Sequence, residues 1–108
     1  MARNDLQGSL DLLVLKTLSQ MGEMHGYGIV LHIQRASDEL LSVEEGSLYP
    51  ALHRMEQDGW IRSEWKMTET NRKAKYYHLT REGERQLSTE AATWRRFAIA
   101  IDAVMSTT

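Results

Sequence analysis

Basic side chains are concentrated in one short segment of a chain that is slightly acidic as a whole. The 108 residues carry a formal net charge of −2, yet residues 62–75 contain five basic side chains against two acidic ones. Exposed lysine and arginine can neutralise DNA phosphates and release their counterions. The same charges could equally serve only to keep a strand edge soluble and unpaired. The basic side chains are Arg62, Lys66, Arg72, Lys73 and Lys75, and the acidic ones are Glu64 and Glu69.

A second set of polar side chains lies on one side of a segment with helical periodicity. Leu48, Leu52 and Met55 repeat at the spacing of an apolar helix face. The opposite face of such a helix can enter the major groove of DNA, where side chains reach the edges of the bases. Periodicity alone would equally describe an ordinary solvated face. The side chains that could contact bases or phosphates are Ser47, Tyr49, Pro50, His53 and Arg54.

The first element that must position these side chains is a helix predicted over residues 9–21. Its apolar residues share one helical face, and Ser9 is the expected N-cap. Leu12 and Leu15 lie on a second apolar face. A helix that is apolar on two sides is expected to contact two partners.

A second helix is predicted over residues 27–40, after a break between Gly22 and Gly26. Tyr27 opens this helix and is expected to pack in the core. Gly28 would allow either close packing or the approach of a phosphate to the helix N-terminus. The stripe predicted to be buried consists of Ile29, Ile33, Ala36 and Leu40.

The third helix carries the polar face described above and is predicted over residues 45–58, with Gly59 as its C-terminal stop. Its first residue is ambiguous. A Ser-x-x-Glu capping box would start the helix at Glu45. Pro50 instead favours a start near Ser47 or a bend, because proline cannot donate to the carbonyl four residues back.

Two strands are predicted after the third helix, over residues 61–67 and 74–79, where apolar residues alternate. Residues 68–73 form the connecting loop, in which Asn71 suits a turn. A hairpin in this position is the wing of a winged helix. The predicted fold class is therefore mainly α (α+β), a winged helix-turn-helix with a long C-terminal dimerisation helix.

The fourth helix is predicted to begin at Thr80, an N-cap with Glu82 in the first turn. It would be on the order of 39 Å long. Its apolar residues form a seam with heptad-like spacing, which indicates a helical partner. The seam consists of Leu87, Ala91, Trp94, Ala98, Ile101 and Met105.

The seam predicts a homodimer, and Leu12 and Leu15 of the first helix are expected to contribute to the interface. Trp94 and Phe97 could also stack on a flat aromatic effector. Simple interface packing is the preferred interpretation for this pair, because aromatic residues are enriched at interfaces.

These residues resemble the PadR-type transcriptional regulators over about residues 8–105. The most specific similarity is Gly-Ser-Leu-Tyr-Pro-Ala-Leu at residues 46–52, and His-Gly-Tyr-Gly-Ile at residues 25–29 adds to it. Further similarity lies in Gly-Trp-Ile at residues 59–61 and in the wing at residues 71–80, followed by Gly83. With a single C-terminal helix, the chain resembles the short PadR subfamily.

The resemblance implies a homodimeric repressor that binds double-stranded DNA. In some members of the family, phenolic compounds or drugs release the protein from DNA. Together with the predicted hairpin, the resemblance favours DNA contact by the third helix over an ordinary solvated helix face. It likewise favours DNA contact by Arg72, Lys73 and Lys75 over a merely solubilising role. The predicted division is a DNA-binding domain at residues 1–79 and a dimerisation helix at residues 80–108. The alternative is a winged-helix module that binds protein without specific DNA binding.

Other classes of protein find little support in the sequence. There is no cysteine, no phosphate-binding glycine loop and no nucleophile motif, and the four histidines are not spaced as metal ligands. We therefore expect no enzyme activity, no metal and no cofactor. No apolar run approaches the roughly 20 residues of a membrane span, and charged residues interrupt the N-terminal apolar stretch. A cytoplasmic protein without a membrane partner is expected.

Overall fold

The structure follows the predicted order of helices and wing and adds one short strand. The computed structural model describes the backbone of residues 3–107 and the side chains of residues 9–107. Within this part of the chain, four helices pack around a three-stranded antiparallel sheet, which confirms the predicted fold class. The elements are α1 (Arg3–Met21), β1 (Met24–His25), α2 (Gly26–Ala36), α3 (Glu45–Gln57), β2 (Ile61–Met67), β3 (Lys73–Leu79) and α4 (Arg81–Met105).

Helix α1 occupies the centre of the core, because α2, α3, β3 and α4 all pack against it. Its Val14, Leu15 and Leu18 are buried, and each such side chain contributes about 1.5–3 kcal/mol. Leu15 was expected at a subunit interface but is fully buried within one chain, since the neighbouring elements also cover this side of α1. The other core residues are Ile29, Ile33, Leu48, Ala51, Leu52, Met55, Ile61 and Tyr77.

The ends of α1 and α2 differ from the predicted ones. Helix α1 begins before Ser9, so this residue lies inside the helix and is not its N-cap. Helix α2 ends at Ala36, because the backbone enters the left-handed region at Asp38 and Glu39, with φ of 55° and 67°. Leu40 therefore lies outside the helix and is 85% exposed rather than buried.

Helix α3 begins at Glu45, which resolves the ambiguity about its start. Glu44 is the N-cap but makes no side-chain hydrogen bond, so the capping box is not formed. Pro50 lies inside the helix. It has no N–H to donate to the carbonyl of Gly46, and the helix accommodates it because both residues are on the exposed side.

The sheet has the order β1-β3-β2, and β2 and β3 form the wing. The loop between them is closed by a hydrogen bond from the Thr68 N–H to the Arg72 carbonyl, at 2.7 Å. Asn71 adopts φ of 65°, as expected for a turn residue. Two-residue strand β1 pairs with β3, Met24 opposite Tyr77, and joins the start of α2 to the sheet.

Thr80 and Gly83 join α4 to the base of the wing. The Thr80 side chain accepts from the Gly83 N–H at 3.0 Å, which confirms the predicted N-cap, and donates to the Gly59 carbonyl at 2.6 Å. The Thr80 N–H donates to the Trp60 carbonyl at 3.0 Å. A Cβ on Gly83 would overlap that same carbonyl oxygen. Only a glycine therefore lets α4 start this close to β2.

We expect Gly83→Ala to destabilise the fold by about 1–3 kcal/mol, because the added methyl must displace backbone rather than a flexible side chain. Gly46→Ala is the matched control, since nothing lies within 4 Å of a Cβ at that helical position. Urea unfolding measures both effects. Equal stability of the two variants would contradict the close approach at Gly83.

Candidate nucleic-acid interface

The exposed face of α3 carries four of the five residues that are expected to contact DNA. Leu48, Ala51, Leu52 and Met55 point into the core. The amphipathic pattern thus leaves an accessible surface on the opposite side of the helix. The residues exposed on it are Ser47, Tyr49, Pro50 and His53.

Arg54 does not belong to this exposed face. Its Nη2 donates to Oδ1 of Asp11 in α1 at 2.6 Å, and the two side chains are 34% and 7% exposed, respectively. This hydrogen bond raises the pKa of Arg54 above its usual value. Arg54 therefore joins α3 to α1, and its contact with bases or phosphate stays a prediction. The signal was Asp11 itself, an acid within the apolar pattern of α1, because a buried carboxylate requires a partner.

The basic side chains of the wing differ in whether they are paired. Within residues 9–107, no ion pair involves Arg72 or Lys73, and both are exposed. Lys75 lies 3.8 Å from Glu56. Lys66 is held by Glu23 at 2.5 Å. Arg62 on β2 is likewise exposed and outside these ion pairs. Arg72 and Lys73 are thus the cations next to the hairpin loop that are most available to a phosphate.

The pairing of Lys66 has an electrostatic signature. Its hydrogen bond to Glu23 raises the pKa of Lys66 and lowers the pKa of Glu23. Glu64 lies 3.4 Å from the same ammonium group. Side chains alternate between the faces of a strand, so Lys66 lies on the opposite face of β2 from Trp65. The basic side chains of the wing are therefore divided between its two faces.

A cleft of about 900 Å³ lies between α3, the start of α2 and the wing. It brings together α3 and the three predicted wing cations, which are far apart in sequence. Sequence reasoning missed two of its aromatic residues, Tyr27 and Trp65. Residues that line the cleft include Tyr27, Tyr49, Trp65, Arg72, Lys73 and Lys75.

Tyr27 is 57% exposed, which corrects the expectation that it packs in the core. Helix α2 starts at Gly26, and its buried residues are Gly26, Ile29 and Ile33, so Tyr27 in the first turn faces outward. The missed signal is this periodicity, which places Tyr27 off the stripe of Ile29 and Ile33.

The start of α2 is held by side chains from three elements. The His25 Nδ1 accepts a hydrogen bond from the Gly28 N–H at 3.0 Å, and the His25 ring packs edge-on against Tyr76. A Cβ on Gly26 would lie 2.7 Å from the Tyr49 hydroxyl. Tyr49 therefore packs directly on Gly26 and holds the cleft wall of α3 against α2.

The predicted dimer seam is exposed along the second half of α4. Trp94, Ile101 and Met105 are exposed, as is Phe97 beside them. Leu12, Leu87, Ala91 and Ala98 are half-buried. A smaller cleft, of about 340 Å³, separates α1 from α4 next to Leu12 and Ala91.

The described residues provide neither a metal-binding cluster nor a membrane-spanning helix. No three or more histidine and acidic side chains among them are arranged to hold a metal ion. No helix in the described part of the chain combines the length and apolar character needed to cross a membrane.

The family model described as the transcriptional regulator PadR-like family matches residues 14–89, which include the core, α3 and the whole wing. The chain belongs to the PadR-like family of transcriptional regulators. The family assignment predicted from residues 25–29 and 46–52 is thereby confirmed. PadR-like proteins are DNA-binding regulators rather than enzymes.

Solved structures of related proteins agree with this PadR-like assignment. A transcriptional regulator from Clostridium thermocellum is 31% identical, with a TM-score of 0.81, and the match covers 91% of this chain and 94% of that one. A PadR-like transcriptional regulator from Bacillus cereus is 29% identical, with a TM-score of 0.79 and coverage of 95% and 97%. An uncharacterised protein of Lysinibacillus sphaericus is 27% identical over 97% of this chain and 96% of its own length.

For this PadR-like regulator, we expect Asp11→Ala and Arg54→Ala to be strongly coupled in stability. Either single change leaves a charge without its partner and should cost about 1–3 kcal/mol, whereas the second change should then cost much less. A double-mutant cycle in urea measures the coupling. Arg62→Ala, at an exposed arginine of the wing, is the control and should show no coupling to Asp11. Additive effects of Asp11 and Arg54 would contradict a role for this pair in holding α3 against α1.

Proposed function

We propose that this PadR-like protein is a homodimeric repressor that binds an operator with inverted-repeat symmetry. The observation that carries the proposal is the cleft in which Tyr49, from the exposed side of α3, lies together with the unpaired cations Arg72 and Lys73. In this proposal, residues 1–79 bind DNA and residues 80–108 form the dimer. Repression follows because the bound dimer excludes RNA polymerase from a promoter.

In the proposed complex, α3 lies in the major groove and the wing follows the adjacent backbone. Ser47, Tyr49, Pro50 and His53 are the candidates for base or phosphate contact. Lys75 joins Arg72 and Lys73 at the phosphates once DNA competes for its distant partner Glu56. Phosphate contacts supply affinity and position the protein, whereas contacts with base edges supply specificity.

The exposed half of α4 supports the homodimer. Exposure of the apolar seam of Trp94, Ile101 and Met105 to water is unfavourable in a chain of this size. A second copy of α4 would bury this seam. Leu12 contributes at the edge of the same surface. Twofold symmetry would place the two α3 helices in successive major grooves, about 34–36 Å apart.

A flat aromatic effector is the regulatory part of the proposal. Trp94 and Phe97 would lie at the boundary between the two subunits, and a ligand stacked there would favour a different crossing of the α4 helices. Packing of the two aromatic residues against the partner subunit is the simpler role for them. Titration of a purified dimer with phenolic compounds, followed by tryptophan fluorescence, distinguishes the two roles.

Selection of bound sequences from random DNA tests the proposed function directly. Recovery of an inverted repeat with half-sites one helical turn apart supports a dimeric DNA reader. Absence of any enriched sequence, together with no mobility shift on the promoter of its own operon, would favour the protein-binding alternative.

Replacing both Arg72 and Lys73 with alanine should make DNA binding less dependent on salt. Each phosphate contact that is lost reduces the slope of log K against log salt concentration by about 0.9. Fluorescence anisotropy of labelled DNA over a salt series measures this slope. Lys66→Ala is the matched control, because Glu23 and Glu64 already hold that cation on the other face of β2. An unchanged slope in the double variant would remove the wing from the interface.

Trp94→Glu should convert the dimer to monomers, because it would place a carboxylate in the centre of the buried seam. Sedimentation velocity measures the change. Ala92→Glu adds the same charge to the same helix at an exposed position away from the seam and should leave the dimer intact. A dimeric Trp94→Glu protein would show that the subunits pair through another surface.

A further inference from the structure

The wing exposes two large apolar side chains that neither the core nor the predicted interface uses. Trp65 is 64% exposed and Met67 is 56% exposed, both on β2. They alternate with Ile61 and Ser63, so they share the strand face whose Ile61 is buried in the core. At the outer end of the hairpin, this face extends past the helices and becomes a wall of the cleft beside α3.

The register of the hairpin places a lysine directly opposite each of these side chains. Trp65 pairs with Lys75, and Met67 pairs with Lys73. Directly opposite residues lie about 4.5–5.5 Å apart at Cβ, on the same face. The wall therefore alternates apolar surface with positive charge. The other face of β2 carries Arg62, Glu64 and Lys66, and Lys66 pairs there with Glu64.

The opposite wall of the cleft is formed by Tyr49 of α3 and Tyr27 of α2. Among the lining residues, Glu69 is the one carboxylate, against Arg72, Lys73 and Lys75. A strand of DNA has matching chemistry, since its sugars are apolar on one side and its phosphates are anionic. The chain belongs to a family of DNA-binding regulators, so DNA is the polyanion that we place in this cleft.

We propose that Trp65 is a DNA-contact residue whose indole packs against the deoxyribose of the strand that lies in this cleft. Lys73 and Lys75 then hold the phosphates on either side of that sugar. The contact is independent of sequence, because every nucleotide presents the same sugar. This inference rests on the proposed function and adds to it an apolar contribution to affinity that does not depend on salt.

A single-tryptophan protein tests the contact directly. The chain has three tryptophans, and Trp60→Phe with Trp94→Phe leaves only Trp65. The probe is a short labelled duplex of random sequence at low salt. Anisotropy of the label reports binding, and acrylamide quenching reports exposure of the indole in the same sample.

On binding of the duplex, the acrylamide quenching constant of Trp65 should fall several-fold. If the anisotropy rises while the quenching constant stays the same, the duplex binds without covering Trp65, and this inference is overturned although the proposed function stands. If the parent protein binds no duplex of any sequence, the proposed function fails and the inference fails with it.

Substitutions of Trp65 in the otherwise unchanged chain provide a second test that does not depend on the other tryptophans. Trp65→Ala should weaken duplex binding by about tenfold, in the range of an aromatic contact with a nucleotide, with the salt slope unchanged. Trp65→Phe should recover most of the loss. Arg62→Ala on the opposite face is the control and should bind nearly as tightly as the parent protein. Parental affinity in Trp65→Ala would overturn the proposal, as would an equal loss in Arg62→Ala.

A duplex that carries 2-aminopurine distinguishes the sugar contact from insertion between bases. Packing on the sugar leaves the bases stacked, so the fluorescence of 2-aminopurine should stay low when the protein binds. A rise in this fluorescence that Trp65→Ala abolishes would overturn the sugar contact, because unstacking requires the indole to enter the base stack.

Discussion

The buried carboxylate of Asp11 constrains the position of α3, the helix that carries the candidate base contacts. A charge with so little exposure in the apolar face of a core helix is costly unless a hydrogen-bonded cation meets it. Arg54 supplies that cation from α3, and the pair holds α3 against α1. Arg54 is also the only arginine or lysine of α3. The interaction that positions the helix therefore offsets, with the Asp11 carboxylate, the one fixed positive charge of α3.

This constraint divides the work of binding between two elements. Because Arg54 is paired with Asp11, the accessible side of α3 offers hydroxyls, an imidazole and a proline ring. These groups suit contact with bases but attract phosphates weakly. The attraction must come from the wing, where Arg72 and Lys73 are unpaired. Because Tyr49 of α3 and the wing line one cleft, a DNA strand attracted by the wing in the proposed complex would lie next to α3. A chain with a net charge of −2 can thus present a locally positive surface.

Local signals predicted the fold well, and long-range contacts account for what they missed. Thr80 and Asn71 do what their types favour within a few residues, so the cap and the turn could be predicted. The apolar stripes of α2 and α3 predicted Ile29, Leu48 and Met55 in the core for the same reason. Arg54 and Leu15 were assigned to surfaces because periodicity gives a residue's face but not what covers that face. Leu15 is covered by other elements of the same chain, and Arg54 by a partner 43 positions away in sequence.

The junction at Thr80 links α3 and the wing to the exposed seam of α4. The Thr80 hydroxyl and N–H bind the carbonyls of Gly59 and Trp60, and Gly83 lies against the same segment. The end of α3, the start of β2 and the start of α4 therefore meet within one hydrogen-bonded turn. In the proposed dimer, this junction would transmit a change in how two α4 helices cross to α3 and the wing. The distance between the two α3 helices of the proposed dimer would then depend on the packing around Trp94. An effector would have to act at that position.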